Sequence, residues 1–422
     1  MRVVKYGDVE VRKVVERYGV EFDSAFEAAR NIVGEVKSRS DAAVFEFTKK
    51  FDKQEITAGT IRVSDREINA ARKRIEPKLI IALEHAYKNI FKFHSKQYKE
   101  ISKGCTVETE KGILITEKTV PLESVGAYIP GGRAAYPSTV LMTCVPVKAA
   151  GVKRLVVVSP PPISDAVLAA CGICKVDEVY CVGGAQAVAA LAYGTESIGK
   201  VDKIVGPGNK FVQAAKMLVY GKVDIDMPAG PSEVLIIADK NSNPKYVAAD
   251  LLAQAEHDPD ARCILVTDSE KKIEEVEDEI ELQLREAKRK TIINESLRNS
   301  VAVLVKNMSQ ATEFANEYAP EHLEILSDNP KKIAAKIRNA GTIFIGEYSP
   351  VSAGDYATGA NHVLPTDRAA RFSSELSTRD FIRNFTIQEI NKNGLKKISE
   401  TIQSIAEAES FDAHAAAVKK RF

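Results

Sequence analysis

The chain has 422 residues, too many for one ordinary hydrophobic core, so two or more domains are expected. Apolar residues make up 45% and charged residues 28%, the balance of a globular protein in water. Lys plus Arg number 59 against 58 Asp plus Glu, so the composition gives no support to a nucleic-acid or other polyanionic partner.

The opening stretch MRVVKYGDVEVRKVV scatters charges among its apolar residues. It lacks the uninterrupted apolar core of a secretory signal, and no membrane-length apolar run follows. A cytoplasmic protein with no membrane partner is expected. Residues 21 to 100 carry apolar residues at three- and four-residue spacing and read as helical, with a break or kink at Pro77.

From about residue 113 short apolar runs alternate with helical segments. GILITE and SVGAYI read as strands and PSTVLMTCVPVKAAG as a helix. RLVVVS, EVYCVG and KIVGPG continue as strands, separated by DAVLAACGICK and AQAVAALAYG as helices and followed by the helix NKFVQAAKMLVYG. EVLIIAD, RCILVTD, SVAVLVK, HLEILS and GTIFIG resume the strands, again with helical segments between them. The pattern predicts largely parallel sheets covered by helices. There are too many units for one sheet, so the α/β fold is expected as two Rossmann-like halves, divided near DMPAGPSE at residues 226 to 233. Residues 346 to 377 break the periodicity, as functional segments often do. The tail from residue 378 reads as helical and polar.

The six cysteines do not form a disulfide framework. Cys171 and Cys174 form one CxxC inside an apolar helix, where buried structural thiols are the expected reading.

Six histidines narrow the search for chemistry. His85 and His94 lie in the N-terminal helices without ligand-type neighbours and read as structural or surface residues. His257 sits in QAEHD, His322 in APEHLE, His362 in GANHVLPT and His414 in ESFDAH. Each has a carboxylate within a few residues, or seven at most: Glu256 and Asp258, Glu321, Asp355, and Glu409 and Asp412. Taken singly each could be a satisfied histidine. Taken together they supply material for a divalent-metal site or for acid–base catalysis, and imidazole with oxygen ligands favours zinc or a neighbouring metal. Gln254 and His257 are three apart, so on a helix they share a face.

IPGGRAAYP (129 to 137), VGGAQAVAA (182 to 190) and VGPGNKFV (205 to 212) are glycine turns between strand and helix. Such turns bring backbone amides to a phosphate, and three along one sheet edge suit a nucleotide. Plain loop geometry also needs glycine there.

VGAYIPGGRAAYPSTVLM, VGGAQAVAALAYGT, KIVGPGNKFV, DMPAGPSEVLIIAD, LLAQAEHDPDA, APEHLEI, GDYATGANHVLPT and ESFDAH together resemble the histidinol dehydrogenase family, in order from about residue 120 onward. The resemblance implies oxidation of L-histidinol through its aldehyde to L-histidine, reducing two NAD, at the last step of histidine biosynthesis. It implies a bound zinc and a homodimer with shared active sites. The fold implied is two incomplete Rossmann-like domains with small N- and C-terminal helical segments. The expected divisions are 1–20, then 21–125 with 233–377, then 126–232, and finally 378–422, exchanged between subunits. Carried over by position, Gln254, His257, Asp355 and His414 match zinc ligands, with His414 coming from the partner subunit. Glu321 and His322 match the catalytic pair. Ser232, His362 and Glu409 match substrate contacts, which the zinc ligands and His322 join. Tyr128, Gln186 and Asn209 match NAD contacts.

Adjacent residues on a strand point to opposite faces, so Glu321 and His322 are expected in the turn before HLEIL. A thiol mechanism is not expected, since no cysteine lies in a matching motif. A zinc hydrolase and a non-catalytic nucleotide-binding module are the competing readings; HEXXH is absent, and PEHLE lacks its second histidine.

Overall fold

The computed structural model describes residues 1–16, 23–131, 135–227 and 230–422. Residues 132–134 of the first glycine turn and residues 228–229 of the expected division lie outside them.

Strand β1 (Arg2–Lys5) and helix α1 (Val9–Glu16) come first. Four helices follow: α2 (Asp23–Arg39), α3 (Asp41–Asp52), α4 (Asp65–Arg74) and α5 (Pro77–Ile101). Pro77 is the first residue of α5 rather than a kink within it, the position where its missing N–H costs nothing. β2 (Thr106–Glu110) and β3 (Ile113–Pro121) form an antiparallel pair.

The first run of strand–helix units is β4 (Ser124–Tyr128), α6 (Pro137–Ala150), β5 (Arg154–Ser159), α7 (Asp165–Ile173), β6 (Glu178–Cys181), α8 (Gly184–Tyr193), β7 (Lys203–Val205), α9 (Lys210–Val219) and β8 (Asp224–Ile225). The second begins with β9 (Glu233–Ala238), α10 (Pro244–Ala255), β10 (Arg262–Thr267), α11 (Glu270–Leu284), α12 (Lys290–Arg298) and β11 (Val301–Leu304). It continues with α13 (Met308–Tyr318), β12 (His322–Leu326), α14 (Pro330–Ala334), β13 (Thr342–Ile345) and α15 (Val351–Tyr356). β14 (Ile382–Ile390), α16 (Lys392–Ala408) and α17 (Asp412–Lys419) complete the chain.

The two runs build two parallel sheets with one strand order. The first is β6-β5-β4-β7-β8 and the second β11-β10-β9-β12-β13, with β1 added beside β11. In each, the strand that enters first is central and the order reverses beside it, between β4 and β7 and between β9 and β12. This is the doubly wound arrangement expected from the alternating sequence pattern. The central strands are apolar along most of their length because helices cover both faces, and all six residues of β9, Glu233 included, are buried. Among the described residues no helix is long and apolar enough to cross a membrane.

Two features differ from the sequence expectation. Residues 382–390, read as part of a helical tail, form β14, which pairs antiparallel with β3 along its whole length. The stretch IRNFTIQEI has no clean alternation, and its partner lies far away in sequence. The helices over residues 23–101 also pack differently from the expected grouping of 21–125 with 233–377. α2 lies on α8 and α9, α4 on α7, and α5 on α6, all belonging to the first sheet. Ala25, Ala29, Val36 and Val44 share one core with Val156, Val158 and Val188. An amphipathic stripe reveals that a helix covers something, not which sheet it covers.

Candidate active site

The polar cluster grows from the amino edge of the second sheet. β12 pairs in parallel with β9, His322 opposite Val234, so Glu321 comes beside Glu233. α10 runs back along the sheet and delivers its last turn to the same edge. Gln254 lies in that turn and His257 in the bend after it, where the His257 N–H donates to the Gln254 carbonyl at 3.2 Å. Ser232 immediately precedes β9. α15 and the irregular segment after it bring Asp355 and His362.

His322 opens β12 and Glu321 sits just before it, so the pair straddles the turn and the strand start. Both are buried, at 5% and 4% exposure. Glu233 fixes the two through its backbone. Its N–H donates to Glu321 Oε2 at 2.7 Å, and its carbonyl lies 3.0 Å from His322 Nδ1. In the neutral ring a proton on Nδ1, donated to that carbonyl, leaves the Nε2 lone pair available. Nε2 is buried without a hydrogen-bond partner, 3.7 Å from Asp355 Oδ1. The Glu233 side chain is itself held, accepting from the Tyr318 hydroxyl at 3.1 Å. Neither Glu233 nor Tyr318 was singled out from the sequence. The available signal was a carboxylate opening an otherwise apolar strand.

The charges in the cluster set one another. Burial pushes the Glu321 carboxyl up, with His322 and the Glu233 N–H opposing. Burial lowers His322, but Glu321 and Asp355 outweigh it and raise the imidazole overall. Burial raises Asp355, yet His322, His362 and His257 bring it below its ordinary value. Burial lowers His257 and His362, favouring neutral rings. His362 Nδ1 lies 3.0 Å from the Asp355 carbonyl, which orients that ring.

The residues fit a zinc ion in kind. A neutral imidazole, a carboxylate and an amide oxygen are a mixed nitrogen and oxygen donor set. Gln254 is 3% exposed, and its Nε2 has no hydrogen-bond partner; with the amide flipped, its oxygen takes that unpartnered position, open to a metal. Among the described residues, no three His, Cys, Asp or Glu side chains form a group able to hold a metal ion. Glu409, just after α16, and His414, on α17, lie exposed and outside the Asp355 network. His85 is exposed, whereas His94 is fully buried and lies 3.3 Å from Gln97 Oε1, a structural setting. Cys171 and Cys174 are buried free thiols in the first sheet's helix layer.

The three NAD-contact candidates lie at the carboxyl edge of the first sheet. Tyr128 ends β4, and its hydroxyl accepts from the Gly184 N–H at 3.1 Å. Gln186 is 1% exposed, and neither amide atom has a hydrogen-bond partner. Asn209 caps α9, its Oδ1 accepting from the Phe211 and Val212 N–H groups at 3.0 and 3.2 Å. Only its Nδ2 is then free for a ligand. Gly206 has φ +113° and approaches the Tyr128 backbone so closely that a Cβ would collide with it. The buried Lys216–Asp226 pair fixes this turn. Asp226 Oδ2 accepts from the Gly206 N–H at 2.6 Å, and Lys216 Nζ donates to the Gly206 carbonyl at 3.0 Å.

Comparison with known proteins agrees along the whole chain. The family described as histidinol dehydrogenase matches residues 15–422. Histidinol dehydrogenases of Methanococcus maripaludis and Methanocaldococcus jannaschii are each 47% identical, covering 100% and 98% of this chain and 99% and 96% of their own lengths. The crystal structure of histidinol dehydrogenase from Elizabethkingia anophelis superposes with a TM-score of 0.95 at 39% identity, covering 100% of this chain and 98% of that one. The chain therefore belongs to the histidinol dehydrogenase family of oxidoreductases.

Proposed function

We propose that the protein oxidises L-histidinol through L-histidinal to L-histidine, reducing two NAD, as the last step of histidine biosynthesis in the cytoplasm. The observation that carries this reading is the buried Glu321–His322 pair, held by the backbone of one residue, Glu233, and facing Asp355. Gln254, His257 and Asp355 would hold a zinc ion together with the partner subunit's His414. Such an ion supplies Lewis acidity and an anchor for the substrate's imidazole and amine.

In the first oxidation His322 Nε2 takes the hydroxyl proton while the carbinol hydrogen leaves as hydride to NAD. In the second, Glu321 takes a proton from water as its oxygen bonds to the aldehyde carbon. Glu321 returns that proton to the former carbonyl oxygen, and the resulting hydrate gives its hydride to a second NAD and a hydroxyl proton to the freed carboxylate. A carboxyl raised by burial suits this duty better than an ordinary one, because its proton affinity is closer to that of the groups it serves. Ser232, His362 and Glu409 would contact substrate, and Tyr128, Gln186 and Asn209 the dinucleotide. The divisions 1–20, 126–232, 233–377 and 378–422 are proposed with this reading, with residues 23–101 assigned to the first sheet, on whose helices they pack.

The test is NADH formation from histidinol by metal-stripped enzyme before and after zinc is returned. Two NADH per histidinol, restored by zinc, are expected. One NADH per histidinol, or none with zinc present, would overturn the two-step reading.

A further inference from the structure

The active-site residues of the second sheet all lie at its amino edge. Its carboxyl edge, where open α/β sheets bind ligands beside the order reversal, is left without a role. β9 spans six residues, which at roughly 3.3 Å each puts about 20 Å between the two edges. A cavity of about 340 Å³ opens there, across the ends of β9, β10 and β12. That is large enough for a small organic ligand.

The lining chemistry is specific. Asp268 follows the last residue of β10, the strand next to the central one. In sheets of this order an acidic residue at that place takes ribose hydroxyls. Asp268 is exposed and has no partner among the described residues, unlike the other two acids of the cavity. Asp239 accepts from the N–H groups of Asn241, Ser242 and Asp328, and Asp328 accepts from the Asn241 amide. Those two acids tie the loops after β9 and β12 together.

Lys240, Lys332 and Lys336 line the same cavity, and none has an ion-pair partner among the described residues. There is no glycine turn after β9, and Asn243 already caps α10 by accepting from the Lys245 N–H at 3.0 Å. An anion here is therefore held by side-chain cations. Ser327 adds a buried Oγ with no hydrogen-bond partner, and Met308 and Ile333 supply an apolar wall.

We propose that this crevice binds a 5′-ribonucleotide, with its ribose diol on Asp268, its phosphate on the three lysines and its base against Met308 and Ile333. The site is separate from the dinucleotide turns of the first sheet.

Calorimetric titration of the full-length protein with AMP tests this, with 2′-deoxy-AMP, inorganic phosphate and NAD as comparison probes. Asp268→Ala and the double variant Lys332→Ala, Lys336→Ala are the two variants, checked for retained oxidation of histidinol. AMP affinity should fall about tenfold or more in each variant, as expected for losing a charged hydrogen bond. 2′-Deoxy-AMP should bind the wild type as weakly as AMP binds Asp268→Ala. Phosphate should bind more weakly, respond to the lysine variant and ignore Asp268→Ala. AMP binding that persists in saturating NAD supports a separate crevice. No AMP binding at millimolar concentration, equal binding by all variants, or full displacement by NAD would overturn the proposal.

Discussion

Glu324 lies two residues along β12 from His322, on the same face of the strand, and is 1% exposed. It meets Asp250 of α10, one turn before Gln254, and burial raises both carboxyls above their ordinary range. A raised carboxyl contributes stability that is full below its unfolded pKa, about 4, and is lost as pH rises through the folded value. Glu324→Gln mimics the protonated form. Chemical denaturation should therefore favour the variant over wild type progressively as pH rises from 5 to 9, whereas parallel pH profiles would show that the pair does not share a proton. At the amino end of the same strand, His322→Asn should reduce turnover about 100-fold or more while histidinol binding persists. Equal loss of binding would mean that the ring holds substrate rather than moves a proton. The identities of Glu321, His322, Gln254 and His257 were legible because polar groups interrupt apolar runs. Glu233 was not, because its contribution is a backbone N–H and carbonyl that every non-proline residue carries.

At the scale of elements, turns and strand pairing separate what was legible from what was not. The strands of both sheets are apolar runs bounded by glycine, proline and charge, so their existence follows from local pattern. β14 does not, since most of its side chains are exposed and its hydrogen bonds go to β3. The VGPGN turn was recognised by its glycines, but its support was not. Lys216 is 1% exposed inside a helix that otherwise reads as amphipathic, and only its pairing with Asp226 accounts for a buried cation there. Removing one partner leaves an uncompensated buried charge. Lys216→Met should cost about 3–5 kcal/mol, and joining it to Asp226→Leu should recover much of that loss. Denaturant unfolding of the single and double variants measures both. A cost below about 1 kcal/mol for Lys216→Met would mean that the pair remains effectively solvated.

At the scale of the whole molecule, the C-terminal elements leave apolar surface uncovered: Ile405, Phe411 and Phe422 are 55%, 52% and 53% exposed. A second copy covering that surface would carry the partner subunit's His414 to the proposed zinc ligands Gln254, His257 and Asp355. Mixing a Glu321→Ala, His322→Ala chain with a His414→Ala chain should then restore activity. Hybrids hold one intact site, so roughly a quarter of wild-type activity is expected after full exchange. No recovery on demonstrated subunit exchange would place a complete site within one chain.

The sequence by itself determined the α/β class, the two runs of strand–helix units and the residue types of the chemistry. These depend on local periodicity and on which side chains interrupt it. Tertiary structure decided which sheet the helices over 23–101 cover, that residues 382–390 form a strand, and that Glu233 grips both Glu321 and His322. It also put the candidate active-site residues at the amino edge of the second sheet and left its carboxyl crevice open. Each of these depends on pairings between distant segments, and an apolar stripe or a backbone amide carries no mark of its partner.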